Sequence, residues 1–269
     1  MIMARWQQGV IGRAVWCGLA LMGLVGSLLG QAWAEAGVWP VQMPYEAPPK
    51  SEPVPDVSVA PNTKALTPEE LQRAEALLPL LEGRQEFWAM GEFVHLGDSV
   101  LPVVTKALTM PGSRIRYNAI ETLSMMKSPA AVPALLERAK QADEIPRIRE
   151  HALRVAVRLD PLQVASTIGV LVKDGNPTIR KAAAFEARYI RHKDVVQPLI
   201  DLVADEERYV ALSAVQSLWL LTRHETDSHD WDASNKQDRQ AWAQEWAEWW
   251  NVSKDSFELP ESRVRKRPS

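Results

Sequence analysis

Apolar positions between Leu77 and Arg223 recur at steps of three and four, and the pattern itself repeats along the chain. In Asn176–Ile190 the residues Ile179, Ala182, Ala183, Ala187 and Ile190 share one helical face, with Asn176 placed as N-cap and Pro177 at the first helical position. Ile115-Arg116, Ile148-Arg149 and Ile179-Arg180 are the same dipeptide in three places, with Val210-Ala211 as a weaker fourth, at spacings of 33, 31 and 31 residues. Three positions after the Arg column stand Ala119, Ala152, Ala183 and Ala214; seven after it stand Leu123, Ala156, Ala187 and Leu218. A second apolar helix precedes these, and Pro102, Pro133 and Pro198 fall early in it, where a missing N–H costs least. The predicted unit is helix, turn, helix, and a period of this length indicates a solenoid. Alternating apolar runs bounded by hairpin turns are absent, so no strand is expected.

This combination resembles HEAT repeats: an apolar first helix with an early proline, an Asp-containing turn, then [IV]-R-x-x-A-x-x-A/L. In particular it resembles the short bacterial kind grouped with the phycobilisome-lyase HEAT-like repeats. The resemblance covers roughly Leu77 to Arg223, in units Val100–Pro129, Ala130–Asp160, Pro161–Asp194 and Val195–Arg223, after a degenerate one at about Leu77–Gly97. It implies an all-α fold, a right-handed α-solenoid of about five helical hairpins with helical caps. It also implies a ladder between turn Asp and helix Arg, here Asp143, Asp174 and Asp205 with Arg116, Arg149 and Arg180. Pro111 and Ala211 depart from those columns, so the ladder is expected to break at both ends.

Both ends of the array carry aromatics. Thr67-Pro68-Glu69-Glu70 reads as a capping box opening the ordered region, and Asp98, Ser128, Asp160 and Asp194 as further helix starts. Phe87, Trp88 and Phe93 are expected to pack as a cap over the second repeat, with binding by Trp88 as the alternative. At the other end Trp242, Trp246, Trp249 and Trp250 line one helical face, and with Trp231 make five tryptophans in twenty residues. This ending resembles the terminal cap of exported bacterial HEAT-repeat proteins. The rival reading is an aromatic cleft for a sugar or a quaternary amine.

Outside the array the composition changes. Residues 1–34 read as a secretory signal: Arg5 and Arg13, an apolar run Ala14–Gly30, and a small-x-small site at Ala32–Ala34 with cleavage after Ala34. An uncleaved membrane anchor is the alternative. Residues 35–65 read as a Pro-rich disordered linker, 66–252 as the solenoid with its Trp-rich cap, and 253–269 as a disordered basic tail. The single cysteine, Cys17, lies in the leader, which excludes disulfides and thiolate chemistry from an exported chain. Loss of the leader takes the formal charge from -3 to -5, which disfavours nucleic acid as a partner.

No catalytic signature is present: no Gly-rich phosphate loop, no G-x-S-x-G and no HExxH. His224 and His229, in an acidic loop, are weak metal candidates; no cofactor is expected. By analogy with the family, the second helices line the concave surface. Positions two, six and nine past the Ile/Val column then face outward: Tyr117, Glu121 and Ser124; Glu150, Arg154 and Val157; Lys181, Phe185 and Arg188; Leu212, Gln216 and Trp219. The expected partner-binding surface is Tyr117, Glu121, Glu150, Arg154, Lys181, Phe185, Arg188, Gln216 and Trp219. Mixed charges with aromatics suit a protein or peptide rather than a phosphate backbone. The expectation is a non-enzymatic adaptor in the periplasm or outside the cell, monomeric, touching membrane only through an uncleaved leader. The alternative is a chromophore-lyase-like or chaperone activity, which the phycobilin-lyase resemblance implies.

Overall fold

A computed structural model describes residues 65–260, apart from 225, 227, 228 and 232. The expected leader, nearly all of the Pro-rich segment and residues 261–269 of the tail lie outside the described residues. The fold is an all-α solenoid of stacked helical hairpins, with no strand among the described residues.

First helices form one layer: α1 (Pro68–Leu77), then α3 (Leu101–Ala107), α5 (Val132–Lys140), α7 (Pro161–Leu171) and α9 (Val196–Val203). Second helices form the other: α2 (Glu86–Leu96), α4 (Ser113–Met126), α6 (Pro146–Leu159), α8 (Pro177–Ala187) and α10 (Arg208–Thr222). Each second helix packs on its own first helix from α4 onward, and on the second helix of the next repeat throughout. A terminal helix, α11 (Lys236–Ser253), lies against α9.

The periodic columns become the shared core. Ile115, Ile148, Ile179 and Val210 are buried, as are the alanine column and the Leu123, Ala156, Ala187, Leu218 column. Alanine lets neighbouring backbones approach closely, so each hairpin buries a face it cannot bury alone. The same registry reaches α2: Ala89 stands in the alanine column and Phe93 in the Leu column, both fully buried. The degenerate first unit read at about Leu77–Gly97 is a repeat in this register, obscured in the sequence because Gln85-Glu86 replaces the Ile-Arg pair.

Helix starts follow local chemistry, with corrections. Thr67 and Glu70 form the reciprocal capping box, Asp160 accepts from the Leu162 and Gln163 N–H groups, and Asn176 accepts from Thr178 N–H. Ser128 caps nothing; its hydroxyl donates to Asp98. Asp98 and Asp194 fall inside short 3-10 turns instead.

The ladder forms in the middle of the stack. Arg149 pairs with Asp174, and Arg180 holds Asp205 through two bonds of 2.7 and 2.9 Å. The rung from Arg116 corrects the expected column: it goes to Glu144, not Asp143, at 2.6 and 2.8 Å. Glu144 sits one residue nearer the helix and is one methylene longer. Its carboxylate also accepts from Ile145 N–H and from Arg138, while Asp143 is exposed. The upper end departs as expected: Pro111 offers no carboxylate, and Glu86, which stands in the Arg column, accepts from Arg114 instead. At the lower end Ala211 has no guanidinium to offer. Arg239 of α11 supplies one, donating to Asp205 O, Glu206 O and Ser234 O.

The C-terminal tryptophans pack against the end of the stack. Trp246 and Trp250 are buried, and Trp231, Trp242 and Trp249 lie half-buried against the core. Packing continues past residue 252, since Phe257 meets Trp249 and Trp250 edge-on and Leu259 O accepts from Arg191. The N-terminal expectation fails: Phe93 is buried, but Phe87 and Trp88 are 77% and 54% exposed. The buried face of α2 is Glu86, Ala89, Met90 and Phe93, which leaves Phe87 and Trp88 on the far side. Gly91 shares that exposed side in mid-helix, where glycine costs about 0.5–1 kcal/mol relative to alanine. A Cβ built there would meet nothing within 4 Å, so the chain's own packing does not require it.

Candidate functional site

The second-helix layer presents the predicted stripe, but its residues do two different things. In α4 and α6 they tie neighbouring helices together. The His151 ring stacks on Tyr117 at 4.7 Å, and its Nε2 lies 3.0 Å from Glu121 Oε1. Arg154 pairs with Glu150 on its own helix at 2.6 Å and reaches Glu186 of α8 at 3.7 Å. Arg158 donates to Ser124 Oγ, and Ser124 and Val157 are buried, so neither is available to a partner.

In α8 and α10 the stripe opens. Lys181 and Gln216 are exposed, Phe185 is 36% exposed and Trp219 53%. Arg188 lies 4.0 Å over the Phe185 ring while donating to Ser217 Oγ, a cation–π pair held in place by a hydrogen bond. Ser217 in turn donates to Ala184 O, which fixes α10 against α8. Lys181, Phe185, Arg188, Gln216 and Trp219 therefore share an accessible surface on adjacent helices. Glu150 and Arg154 are partly occupied by each other, and Tyr117 and Glu121 by His151.

The sequence reading missed the contribution of the first repeat. With Ala89 and Phe93 in their columns, positions two, six and nine are Phe87, Gly91 and Val94, all exposed. The signal that could have found them is the Ala89/Phe93 spacing, which matches every later repeat.

A shallow cleft of about 210 Å³ opens between the starts of α4 and α6, lined by Ser113, Arg114, Tyr117, Ile145, Arg147 and Ile148. Arg114 is held by Glu86, and Arg147 sits 5.6 Å over the Tyr117 ring. The two candidate metal histidines are separated. His224 stacks on Trp249 at 4.1 Å, and His229 stacks on Trp242 at 4.3 Å with Nε2 3.2 Å from Glu245. No cluster of three metal-ligating side chains occurs among the described residues.

Burial pushes His151 below the usual histidine range; Glu121 opposes this, while Arg154 and Arg158 add to it. Burial alone lowers His224. Both are favoured neutral in the fold, so the unfolded chain binds protons first as pH falls through about 6.5. Stability from these two groups is complete above that pH and declines below it. The carboxylates behave differently. Burial would raise Glu144, but the Arg116 and Ile145 hydrogen bonds and the Arg116 and Arg138 charges outweigh it and hold it low. Asp174 is lowered in the same way against its burial, by Arg149 and Asn176 N–H. Their contribution persists until pH falls below about 4. Thermal melts from pH 8 to 3 should show two separate losses, the upper one reduced in a His151→Gln, His224→Gln variant. An unchanged upper loss in that variant would contradict the assignment.

The family model described as HEAT repeats matches residues 87–156, from the start of α2 to the end of α6. Among curated proteins none matches this sequence significantly. Residues 87–156 are thus similar to HEAT repeats, and the same columns continue through α10, which makes the stack a helical repeat scaffold.

Proposed function

We propose that this HEAT-repeat solenoid is a non-enzymatic adaptor of the cell envelope, exported by its leader and binding a protein partner on the second-helix layer of its last two repeats. One observation carries the reading: Phe185 and Trp219 are exposed on adjacent helices, with Arg188 held over Phe185. Aromatic and arginine side chains on a rigid frame are the usual anchors of protein interfaces, where each contributes about 2 kcal/mol or more. A partner with apolar side chains flanked by acidic ones fits Phe185 and Trp219 between Lys181 and Arg188.

The test is the double variant Phe185→Ala, Trp219→Ala in the exported chain. Both residues contact solvent, so the melting temperature should stay within a few degrees of the parent. Partner capture from an envelope extract should fall at least about tenfold. Unchanged capture, or loss of the fold, would sink the proposal. So would a bound pigment detected by absorbance, which favours the lyase-like alternative.

A further inference from the structure

The cleft between the starts of α4 and α6 shares no residue with the surface proposed on α8 and α10. Its lining mixes apolar and cationic groups. Ile148 is buried, the Tyr117 ring is half-buried, and Ile145 is 47% exposed. The His151 ring, stacked on Tyr117 at 4.7 Å, holds that side of the cleft in place. Arg114 and Arg147 supply the charge, each as the second residue of its helix. The helix macrodipole disfavours a cation in the first turn, so each arginine needs a compensating partner. Arg114 has one inside the chain: its Nε donates to Glu86 Oε2 at 2.9 Å and its Nη2 to Glu86 Oε1. Arg147 has none among the described residues. It joins no hydrogen bond or ion pair there, and stands 5.6 Å over the Tyr117 ring.

The neighbouring carboxylates are committed elsewhere. Glu86 also accepts from Asn118, Glu121 lies against His151, and Glu150 pairs with Arg154. Glu82 and Asp143 act on Arg114 and Arg116. The uncommitted positive charge of the cleft is thus the Arg147 guanidinium, in a lining it shares with the exposed Ile145. We propose that the cleft binds an acidic side chain of a partner's extended segment, a Glu or Asp next to an apolar residue. The carboxylate pairs with Arg147, and the apolar neighbour covers Ile145 and Tyr117. A guanidinium holds a carboxylate through two parallel N–H donors, which fixes the direction of the segment. A phosphoryl group would call for a cluster of free arginines, and Arg114 is taken by Glu86. The volume points the same way. The 210 Å³ of the cleft is below the roughly 300–1,000 Å³ of pockets that enclose a whole small molecule, so it takes side chains of a longer chain. Because the cleft is shallow and open, the segment runs through it and does not end in it. The site does not rest on the surface of Phe185 and Trp219, and either can fail without the other.

The probe is the peptide Gly-Leu-Glu-Leu-Gly, acetylated and amidated so that the Glu side chain is its only charge. A control peptide carries Gln in place of Glu. The protein is the isotope-labelled chain from Glu35, which keeps every described residue. The Glu peptide should shift the amide resonances of Ser113, Arg114, Arg147 and Ile148, with a dissociation constant of about 1 mM or tighter. The Gln peptide should bind at least about tenfold more weakly. Arg147→Gln should abolish that preference and keep the melting temperature within a few degrees, because the exposed guanidinium joins no internal pair. The Phe185→Ala, Trp219→Ala variant should leave the preference intact. A parent chain that shows no shifts up to about 10 mM peptide overturns the proposal. Equal binding of the two peptides, or a preference that survives Arg147→Gln, overturns it as well. So do shifts that centre on Lys181 and Arg188, or displacement of the peptide by equimolar inorganic phosphate, which marks a general anion site.

Discussion

Glu144→Ala should cost about 3–5 kcal/mol in unfolding free energy, whereas Asp143→Ala, one residue earlier, should change it by less than about 0.5 kcal/mol. The Glu144 side chain is 1% exposed and lies between Arg116 and Arg138, themselves 14% and 15% exposed. Removing the carboxylate leaves two guanidiniums in a poorly hydrated site with no counter-charge. Arg116 keeps only its bonds to Met110 O and Pro111 O. The Ile145 N–H at the start of α6 also loses its acceptor. Neutral Glu144→Gln should be milder, because it keeps an acceptor oxygen and the packing. Urea denaturation of the three variants decides the matter. If Asp143→Ala proves the more damaging, the rung runs through the aligned column after all.

That contrast marks where the sequence was legible and where it was not. Core columns could be read directly, because burial at Ile148, Ala152 and Ala156 is a property of helical period and residue size. Ladder arginines could be read for the same reason, since they share a register with the core. Which of two adjacent carboxylates meets Arg116 could not, because it depends on the reach of one methylene and on the direction of a turn. The stripe was legible only in part, for a related reason. Period places Tyr117, Arg154 and Lys181 on one face, but says nothing of which long side chains lean sideways. Arg154 leans to Glu186, while Lys181 enters no ion pair or hydrogen bond among those described. The first repeat could be read only as a degenerate unit, and its register was lost because its Ile-Arg pair is replaced, which misplaced Phe87 and Trp88. Their exposure, opposite the sealed tryptophan end, is what the structure adds.

Trp246→Ala should destabilise the chain by about 3–5 kcal/mol, the cost of a large cavity in a buried site. Trp246 is 1% exposed and sits edge-on to both His224 at 5.2 Å and Trp249 at 5.7 Å. Its removal loosens the contact of α11 with the last repeat and the stack that holds His224 on Trp249. In a repeat array such damage is felt first by the nearest neighbours, so hydrogen exchange should accelerate in α9, α10 and α11 before it does in α4. Arg239 depends on the same docking, and with it the three carbonyls of the last turn and its approach. Trp242→Ala should cost less, because that ring is only half-buried against His229 and Trp231. The comparison also separates a cap from an aromatic cleft. A sugar-binding cleft would lose ligand and keep its melt on Trp246→Ala. A cap would lose its melt, and the loss should be larger for the buried Trp246 than for the half-exposed rings around it.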